Sequence, residues 1–217
     1  MLFIFDMGGV VTNDLCKKKC SDWLNITKEQ FFFLCGHADD CIDFNNPSFI
    51  KWYGESEKID YFNLLNLGKI SVPDFWKKFE ENARISKIAI PSINHDLFKL
   101  TFHPEINPKT VELIKTLRKN HRVVCGTNTI DTHWESHMER GDYSYFDRTY
   151  ASNKIGAIKP NPDFYRLIME AEGYEPKNTF FTDDKSVNIK TARELGINAI
   201  QFKSAEEVSE VWKQYCL

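Results

Sequence analysis

The chain lacks the features that mark several classes of protein. No apolar run approaches the roughly 18 residues needed for a membrane-spanning helix. The apolar run at residues 2–5 ends at Asp6, which is too early for the core of a signal peptide. We therefore expect a cytoplasmic protein with no membrane partner.

Concentrated positive charge is also missing. The 28 Lys and Arg residues and 31 Asp and Glu residues give a net charge of −3, and the longest basic run is residues 17–19. Nucleic-acid-binding surfaces usually carry a clustered excess of Lys and Arg. We expect no nucleic-acid partner and a monomer or homodimer.

Paired cysteine motifs are absent as well. None of the cysteines forms a C-x-x-C pair, and no histidine stands at zinc-ligand spacing from them. A chain of 217 residues needs no disulfide framework to fold. We predict reduced thiols at all six positions: Cys16, Cys20, Cys35, Cys41, Cys125 and Cys216.

Short apolar runs alternate with helical patterns in the first few residues and in the second half of the chain. Residues 2–5 are wholly apolar, which is typical of a strand buried on both faces of a parallel sheet, and similar short runs recur downstream. They predict strands at 2–5, 122–126, 178–182 and 198–202, with a further candidate at 149–152. Apolar residues at helical spacing predict helices at 108–119, 162–172 and 187–195. This βαβ alternation indicates an α/β fold with a doubly wound parallel sheet.

The segment between these two parts, residues 15–93, has a different pattern of apolar residues. Its apolar residues follow helical spacing at 31–34, 49–53, 59–67 and 75–79, and no strand pattern interrupts them. We therefore predict two domains. Residues 1–14 and 94–217 form the α/β core, and residues 15–93 form an all-helical insert.

Polar side chains cluster where the predicted strands end. Asp6, the Thr127-Asn128 pair and the Asp183-Asp184 pair each follow a strand, and Lys159 precedes Pro160 at the start of a helix. Ligands of open α/β sheets bind at the carboxyl ends of the strands. Facing carboxylates repel one another unless a cation joins them, and oxygen ligands of this kind favour Mg²⁺. A carboxylate, Mg²⁺ and a lysine suit phosphoryl transfer through an aspartyl-phosphate.

Four segments, in order along almost the whole chain, resemble the haloacid dehalogenase-like (HAD) hydrolases. They are FIFDMGGVV (3–11), VVCGTNT (123–129), KPNPDFY (159–165) and FFTDDKSVNIKTARELG (180–196). The resemblance is to the branch with a helical cap inserted after the first strand, and LGKISVPDFW (67–76) is similar to a turn of that cap. It implies the strand order 5-4-1-2-3 and assigns residues 15–93 to the cap domain.

The resemblance implies a metal site and a nucleophile. Asp6 would be the nucleophile and a Mg²⁺ ligand, and Gly8 would offer its backbone carbonyl to the metal. Asp184 and Asp183 would complete the metal shell.

It also implies a binding site for the phosphate. Thr127 and Asn128 would hold the transferring phosphate, and Lys159 would bridge the phosphate and the charge of the nucleophile. Asn188 resembles the family residue that contacts the acidic pair without binding the metal itself.

One position departs from the usual family pattern. Most family phosphatases have D-x-D, where the second Asp protonates the leaving group, whereas this chain has Asp6-Met7-Gly8. A minority branch with D-x-G followed by Gly or Asn, which includes glucose-1-phosphate phosphatase-like proteins, shares this pattern. We expect a Mg²⁺-dependent phosphomonoester hydrolase that acts on a small phosphorylated metabolite, with a sugar phosphate favoured.

Two alternatives belong to other classes. Gly8 suggests a catalytically weak or inactive ligand-binding member, whereas retention of Asp6 and Lys159 argues against one. A 2-haloacid dehalogenase typically has Ser-Ser-Asn in place of the paired acids, so Asp183-Asp184 argues against that chemistry. Candidate substrate contacts in the cap, which the sequence does not rank, are Trp23, His37, Asp39, Asp40, Asp43, Lys51 and Trp52.

Overall fold

A computed structural model describes residues 1–13, 16–36 and 59–215. The chain divides into two compact units. The first comprises Met1–Asp14 and His103–Leu217, and the second comprises Leu15–Phe102. None of the helices in the described ranges is long and apolar enough to cross a membrane.

The first unit is built on a five-stranded parallel sheet. Its order is β3-β2-β1-β4-β5, which confirms the order 5-4-1-2-3. Phe5 at the end of β1 lies beside Cys125 of β2 and Thr182 of β4. The strands are β1 (Leu2–Phe5), β2 (Arg122–Thr127), β3 (Arg148–Ala151), β4 (Thr179–Asp183) and β5 (Asn198–Gln201).

Helices cover both faces of this sheet, so the predicted doubly wound fold is confirmed. Phe3 and Phe5 of β1 pack into one buried cluster, and Leu2 and Ile4 pack into another on the opposite face. This alternation explains why β1 is apolar at every position. The helices of the first unit are α6 (Pro108–Leu117), α7 (Asp131–Arg140), α8 (Ser152–Ile155), α9 (Pro162–Glu172), α10 (Ser186–Glu194) and α11 (Ala205–Trp212). Short 3₁₀ helices occupy Asp142–Tyr145, Pro176–Asn178 and Lys213–Tyr215.

Side-chain caps fix where two of these helices start. Asn107 caps α6 and Asn161 caps α9, and in each case a proline occupies the first turn. The fixed φ of proline suits the first helical position, where no backbone N–H is needed. The start of α9 is therefore set three residues after Lys159.

In the second unit, every regular element among the described residues is a helix. Its helices are α1 (Cys16–Trp23), α2 (Lys28–Cys35), α3 (Tyr61–Asn66), α4 (Val72–Ile85) and α5 (Leu97–Thr101). Thr27 and Gln30 form a reciprocal capping box at the start of α2. The predicted helical pattern at 49–53 lies outside the described residues.

The boundary between the two units differs from the predicted one. Residues 94–102 were assigned to the core, but the structure groups them with the second unit. The Phe98 ring of α5 lies 4.6 Å from that of Trp76, and the Thr101 hydroxyl lies within 3.2 Å of the Cys16 and Cys20 sulfurs. The assignment of the second unit as a cap domain stays a prediction.

Four cysteines are described, and all of them are buried thiols. They are Cys16, Cys20, Cys35 and Cys125, for which the predicted reduced state holds. Cys41 and Cys216 lie outside the described residues.

Candidate active site

Three adjacent strands bring the predicted site residues to one edge of the sheet. Asp6 directly follows β1, Thr127 ends β2 and Asp183 ends β4. The Asp6 amide donates to the Thr182 carbonyl over 3.0 Å and so continues the pairing of β1 with β4. The side chains of residues that are far apart in sequence therefore meet at this edge.

Lys159 lies at the centre of this group. Its Nζ is 2.8 Å from Asp6 Oδ1, 2.7 Å from Asp183 Oδ2 and 2.9 Å from the Gly126 carbonyl oxygen. An ammonium group has three hydrogens, and here each one faces an acceptor. Lys159 is only 3% exposed, so water competes little for these contacts. The lysine joins the two carboxylates in a buried ion cluster.

Burial and charge set the protonation of this cluster. Burial raises the pKa of Asp6 to about 7, with the charge of Lys159 opposing the rise and that of Asp183 adding to it. Burial also opposes ionisation of Asp183, but Lys159 outweighs it and lowers that pKa. Burial disfavours the charged form of Lys159 too, yet the two carboxylates raise its pKa. Two acids thus share one lysine, and negative charge remains in excess.

Both carboxylate oxygens of Asp183 accept hydrogen bonds from neighbouring residues. Asn188 Nδ2 lies 2.9 Å from both of its carboxylate oxygens, and the Lys185 amide donates to Oδ1 over 2.8 Å. These donors and Lys159 fix the orientation of the fully buried carboxylate. The sequence anticipated this supporting contact of Asn188.

A third acid lies at the open side of the cluster. One carboxylate oxygen each from Asp6, Asp183 and Asp184 lie within 4.8 Å of one another. Asp6 and Asp183 are buried, whereas Asp184 is exposed. Three carboxylates beside a single lysine make a donor set of the kind that hard divalent cations prefer. The residues therefore fit a magnesium ion.

A tight loop follows Asp6. Asp6 Oδ1 accepts from the Met7 amide over 2.7 Å, and the Met7 carbonyl accepts from the Val11 and Thr12 amides at 2.9 Å each. Gly8 lies inside this loop and pairs with Thr12 in an isolated bridge. The loop holds the Asp6 carboxylate in place through its own backbone.

Gly9 adopts a conformation that few other residues could. Its φ is +79°, in the left-handed region that favours glycine. A Cβ at Gly9 would lie 2.6 Å from both Cγ and Oδ2 of Asp184. The chain can therefore bring the Asp6 loop against the Asp184 carboxylate only because residue 9 has no side chain.

The loop after β2 makes contacts that the sequence did not indicate. Both hydrogen-bonding groups of the Asn128 side chain pair with the backbone of Lys159. Ser152 Oγ accepts from the Thr129 amide over 2.9 Å and donates to the Thr129 carbonyl over 3.2 Å. Neither Ser152 nor the Gly126 carbonyl was among the predicted site residues, since backbone acceptors and isolated serines leave no sequence pattern. Thr127 lies at the same edge and is 3% exposed.

The sequence matches one protein family over most of its length. The family described as haloacid dehalogenase-like hydrolases matches residues 1–196, nearly the whole chain. The chain belongs to this family. The resemblance carried by the four segments is thereby confirmed, and the protein is a hydrolase.

Individual HAD relatives match over most of their length. The chain is 28% identical over 221 residues to a D-ribitol-5-phosphate phosphatase of Bacteroides thetaiotaomicron, with 97% of this chain and 94% of the relative covered. A HAD family enzyme of the same organism, solved with magnesium and inorganic phosphate, is 22% identical. It superposes with a TM-score of 0.66 over 97% of this chain and 98% of that chain.

A third relative supports the HAD fold. A HAD-like family hydrolase from Porphyromonas gingivalis is 22% identical and superposes with a TM-score of 0.65. The superposition covers 99% of this chain and 97% of that chain.

Most of the predicted cap contacts fall outside the described residues. Trp23 alone among them is described, at the end of α1 with 38% of its surface exposed. The others, which the structure does not describe, are His37, Asp39, Asp40, Asp43, Lys51 and Trp52.

Proposed function

We propose that the protein is a Mg²⁺-dependent phosphomonoester hydrolase that acts on a small phosphorylated metabolite, with a sugar phosphate favoured. The observation that carries the proposal is the buried Lys159 between Asp6 and Asp183, with the Asp184 carboxylate beside them. The D-ribitol-5-phosphate phosphatase of B. thetaiotaomicron supports this class of substrate.

The acidic residues would hold the metal. Asp6, Asp183 and Asp184 would supply carboxylate oxygens, and Gly8 would supply its backbone carbonyl. When bound, Mg²⁺ neutralises the phosphate and the acids, so that an anion can approach phosphorus. The magnesium and phosphate in the HAD enzyme from B. thetaiotaomicron are consistent with this choice of cation.

Asp6 is proposed to act as the nucleophile. Its carboxylate attacks phosphorus and the ester P–O bond breaks, so that an aspartyl-phosphate forms and the departing alkoxide takes a proton from water. Water then attacks the same phosphorus, releases inorganic phosphate and restores the Asp6 carboxylate. Lys159 Nζ, 2.8 Å from Asp6 Oδ1, offsets the negative charge in both steps. Thr127 is proposed to hold the transferring phosphate.

Gly8 removes the side chain that usually donates a proton to the leaving group in this family. Without a side chain, residue 8 cannot protonate the departing oxygen, a contribution usually worth about 10²- to 10⁴-fold in rate. A sugar released from its anomeric carbon leaves as a hemiacetal oxygen, which is less basic than a primary alkoxide. We therefore propose a preference for glucose 1-phosphate over glucose 6-phosphate. D-Ribitol 5-phosphate is a primary phosphate ester, like glucose 6-phosphate, so the same reasoning predicts slower turnover of it than of glucose 1-phosphate.

Turnover of a defined panel tests the proposal. The panel comprises an aryl phosphate, glucose 1-phosphate, glucose 6-phosphate, D-ribitol 5-phosphate and 2-chloropropionate, each with Mg²⁺ and with EDTA. We expect release of phosphate only with Mg²⁺, and none from Asp6→Asn, whose amide cannot attack phosphorus. Release of chloride in EDTA would instead indicate a dehalogenase. If the protein binds Mg²⁺ but hydrolyses none of these compounds, the result would favour the inactive ligand-binding alternative.

A further inference from the structure

Asn128 does not present its side chain as a free ligand for phosphate. Asn128 Oδ1 accepts from the Lys159 amide over 2.8 Å, and Asn128 Nδ2 donates to the Lys159 carbonyl over 2.9 Å. One side chain thus satisfies both backbone polar groups of the lysine, across 31 positions of sequence. Such two-point contacts fix orientation as well as distance.

The same stretch of chain also holds the other end of Lys159. The Gly126 carbonyl, at the end of β2, accepts from Lys159 Nζ over 2.9 Å. Gly126 and Asn128 therefore hold the ammonium and the backbone of one residue. This matters because Lys159 lies in the connection between α8 and α9, outside any regular element that would fix its backbone.

We propose that Asn128 is a positioning residue for Lys159, which sets where the ammonium lies between Asp6 and Asp183. This departs from the expectation that the Asn128 side chain holds substrate. Its kinetic test rests on the proposed hydrolase function, while its spectroscopic test does not. A displacement of about 1 Å in a catalytic group can cost about 10²-fold in rate, so a backbone contact of this kind can govern turnover.

A double-mutant cycle separates positioning from direct contact with substrate. Asn128→Ala and Lys159→Met are made singly and together, and kcat and KM are measured with an aryl phosphate. If Asn128 acts through Lys159, Asn128→Ala lowers kcat by about 10- to 100-fold alone, but by less than about twofold when Lys159 is already Met. An equal loss in both backgrounds, with a raised KM, would mean that Asn128 contacts substrate and would overturn the proposal.

A matched control guards against a general loss of stability. Asn161 also uses its side chain on the backbone, but Oδ1 accepts from the Asp163 amide over 2.8 Å rather than from the backbone of Lys159. Asn161→Ala should lower stability by about 1 kcal/mol through the lost helix cap. It should leave the coupling between residues 128 and 159 unchanged.

A second measurement does not depend on enzyme activity. It is the ¹⁵N NMR resonance of the Lys159 ammonium in protein labelled at lysine. The resonance is assigned by its disappearance in Lys159→Met. We expect Asn128→Ala to shift and broaden it, and Asn161→Ala to leave it in place. An unchanged signal in Asn128→Ala would refute the proposal even if the protein hydrolyses phosphate esters. A shifted signal in a protein without turnover would support the positioning role and reject the hydrolase function alone.

Discussion

Gly9→Ala tests whether the loop after Asp6 and the Asp184 carboxylate form a single metal site. Gly9 has a φ of +79°, and a Cβ there would lie 2.6 Å from Cγ and Oδ2 of Asp184. Unbonded carbon atoms normally stay about 3.5 to 4.0 Å apart, so Asp184 would have to move by roughly 1 Å. The left-handed backbone alone costs a non-glycine residue about 1 to 2 kcal/mol.

Gly141→Ala is the matched control for the backbone cost. Gly141 ends α7 with a φ of +73°, and nothing lies within 4 Å of the position its Cβ would take. Gly141→Ala should therefore lower the free energy of unfolding by about 1 to 2 kcal/mol in the absence of metal, and Gly9→Ala, which also displaces Asp184, by at least as much. Gly9→Ala alone should also weaken Mg²⁺ binding, because Mg²⁺ demands near-ideal octahedral geometry.

Chemical unfolding with and without Mg²⁺ measures both effects. If free Mg²⁺ is 100 times its Kd, binding adds about 2.7 kcal/mol to the free energy of unfolding, and a tenfold weaker affinity reduces this to about 1.4 kcal/mol. We expect the smaller increment in Gly9→Ala and the full increment in Gly141→Ala. Equal increments in the two variants would refute the reasoning that Gly9 gives Asp184 its place at the metal.

Three further substitutions test the fold and its ion clusters. Lys159→Met leaves two buried carboxylates unpaired and should cost about 3 to 5 kcal/mol of unfolding free energy in EDTA; a smaller cost in denaturant titration would contradict the buried ion cluster. Gly126→Ala would place a Cβ 2.8 Å from Ile4 Cγ2 and should cost about 1 to 3 kcal/mol; a cost below about 1 kcal/mol by the same method would argue against that tight packing. Burial opposes ionisation of Glu172, but hydrogen bonds from Arg122 and Tyr150 outweigh it and lower its pKa. Its stabilising effect should be complete above about pH 4.5 and fade as the pH falls through the lowered pKa, so the stability gap between wild type and Glu172→Gln should narrow on acidification; a constant gap would contradict this.

The sheet could be predicted because its buried strands leave short runs with apolar residues at their centre. The run at 178–182 predicted β4, which the structure places at Thr179–Asp183. Helix α7 was not predicted, since its sequence DTHWESHMER has few apolar residues and only Thr132 and His137 are buried in it. Apolar periodicity signals buried faces, and it is weak where a helix lies mostly exposed.

The residues that meet at the carboxyl edge of the sheet could be named from the sequence, but their contacts could not. The acids stand at the ends of strands, which parallel pairing brings together, and Lys159 lies in the connection that precedes α9. The bonds from Asn128 to the Lys159 backbone depend on the path of a loop and on side-chain orientation. Neither leaves a periodic signal. The boundary near residue 94 was missed for a similar reason, because α5 is only five residues long.

Trapping a covalent intermediate shows whether Asp6 is the nucleophile. Protein is mixed with an aryl phosphate and Mg²⁺, quenched in acid during turnover, reduced with borohydride and digested for mass spectrometry. We expect reduction of the side chain at residue 6 to that of homoserine, because borohydride reduces an acyl phosphate and leaves a free carboxylate intact. The same treatment of Asp6→Asn should give no modified peptide. A phosphoryl group on serine, threonine or histidine, or rapid turnover with residue 6 unmodified, would contradict the claim that Asp6 is the nucleophile.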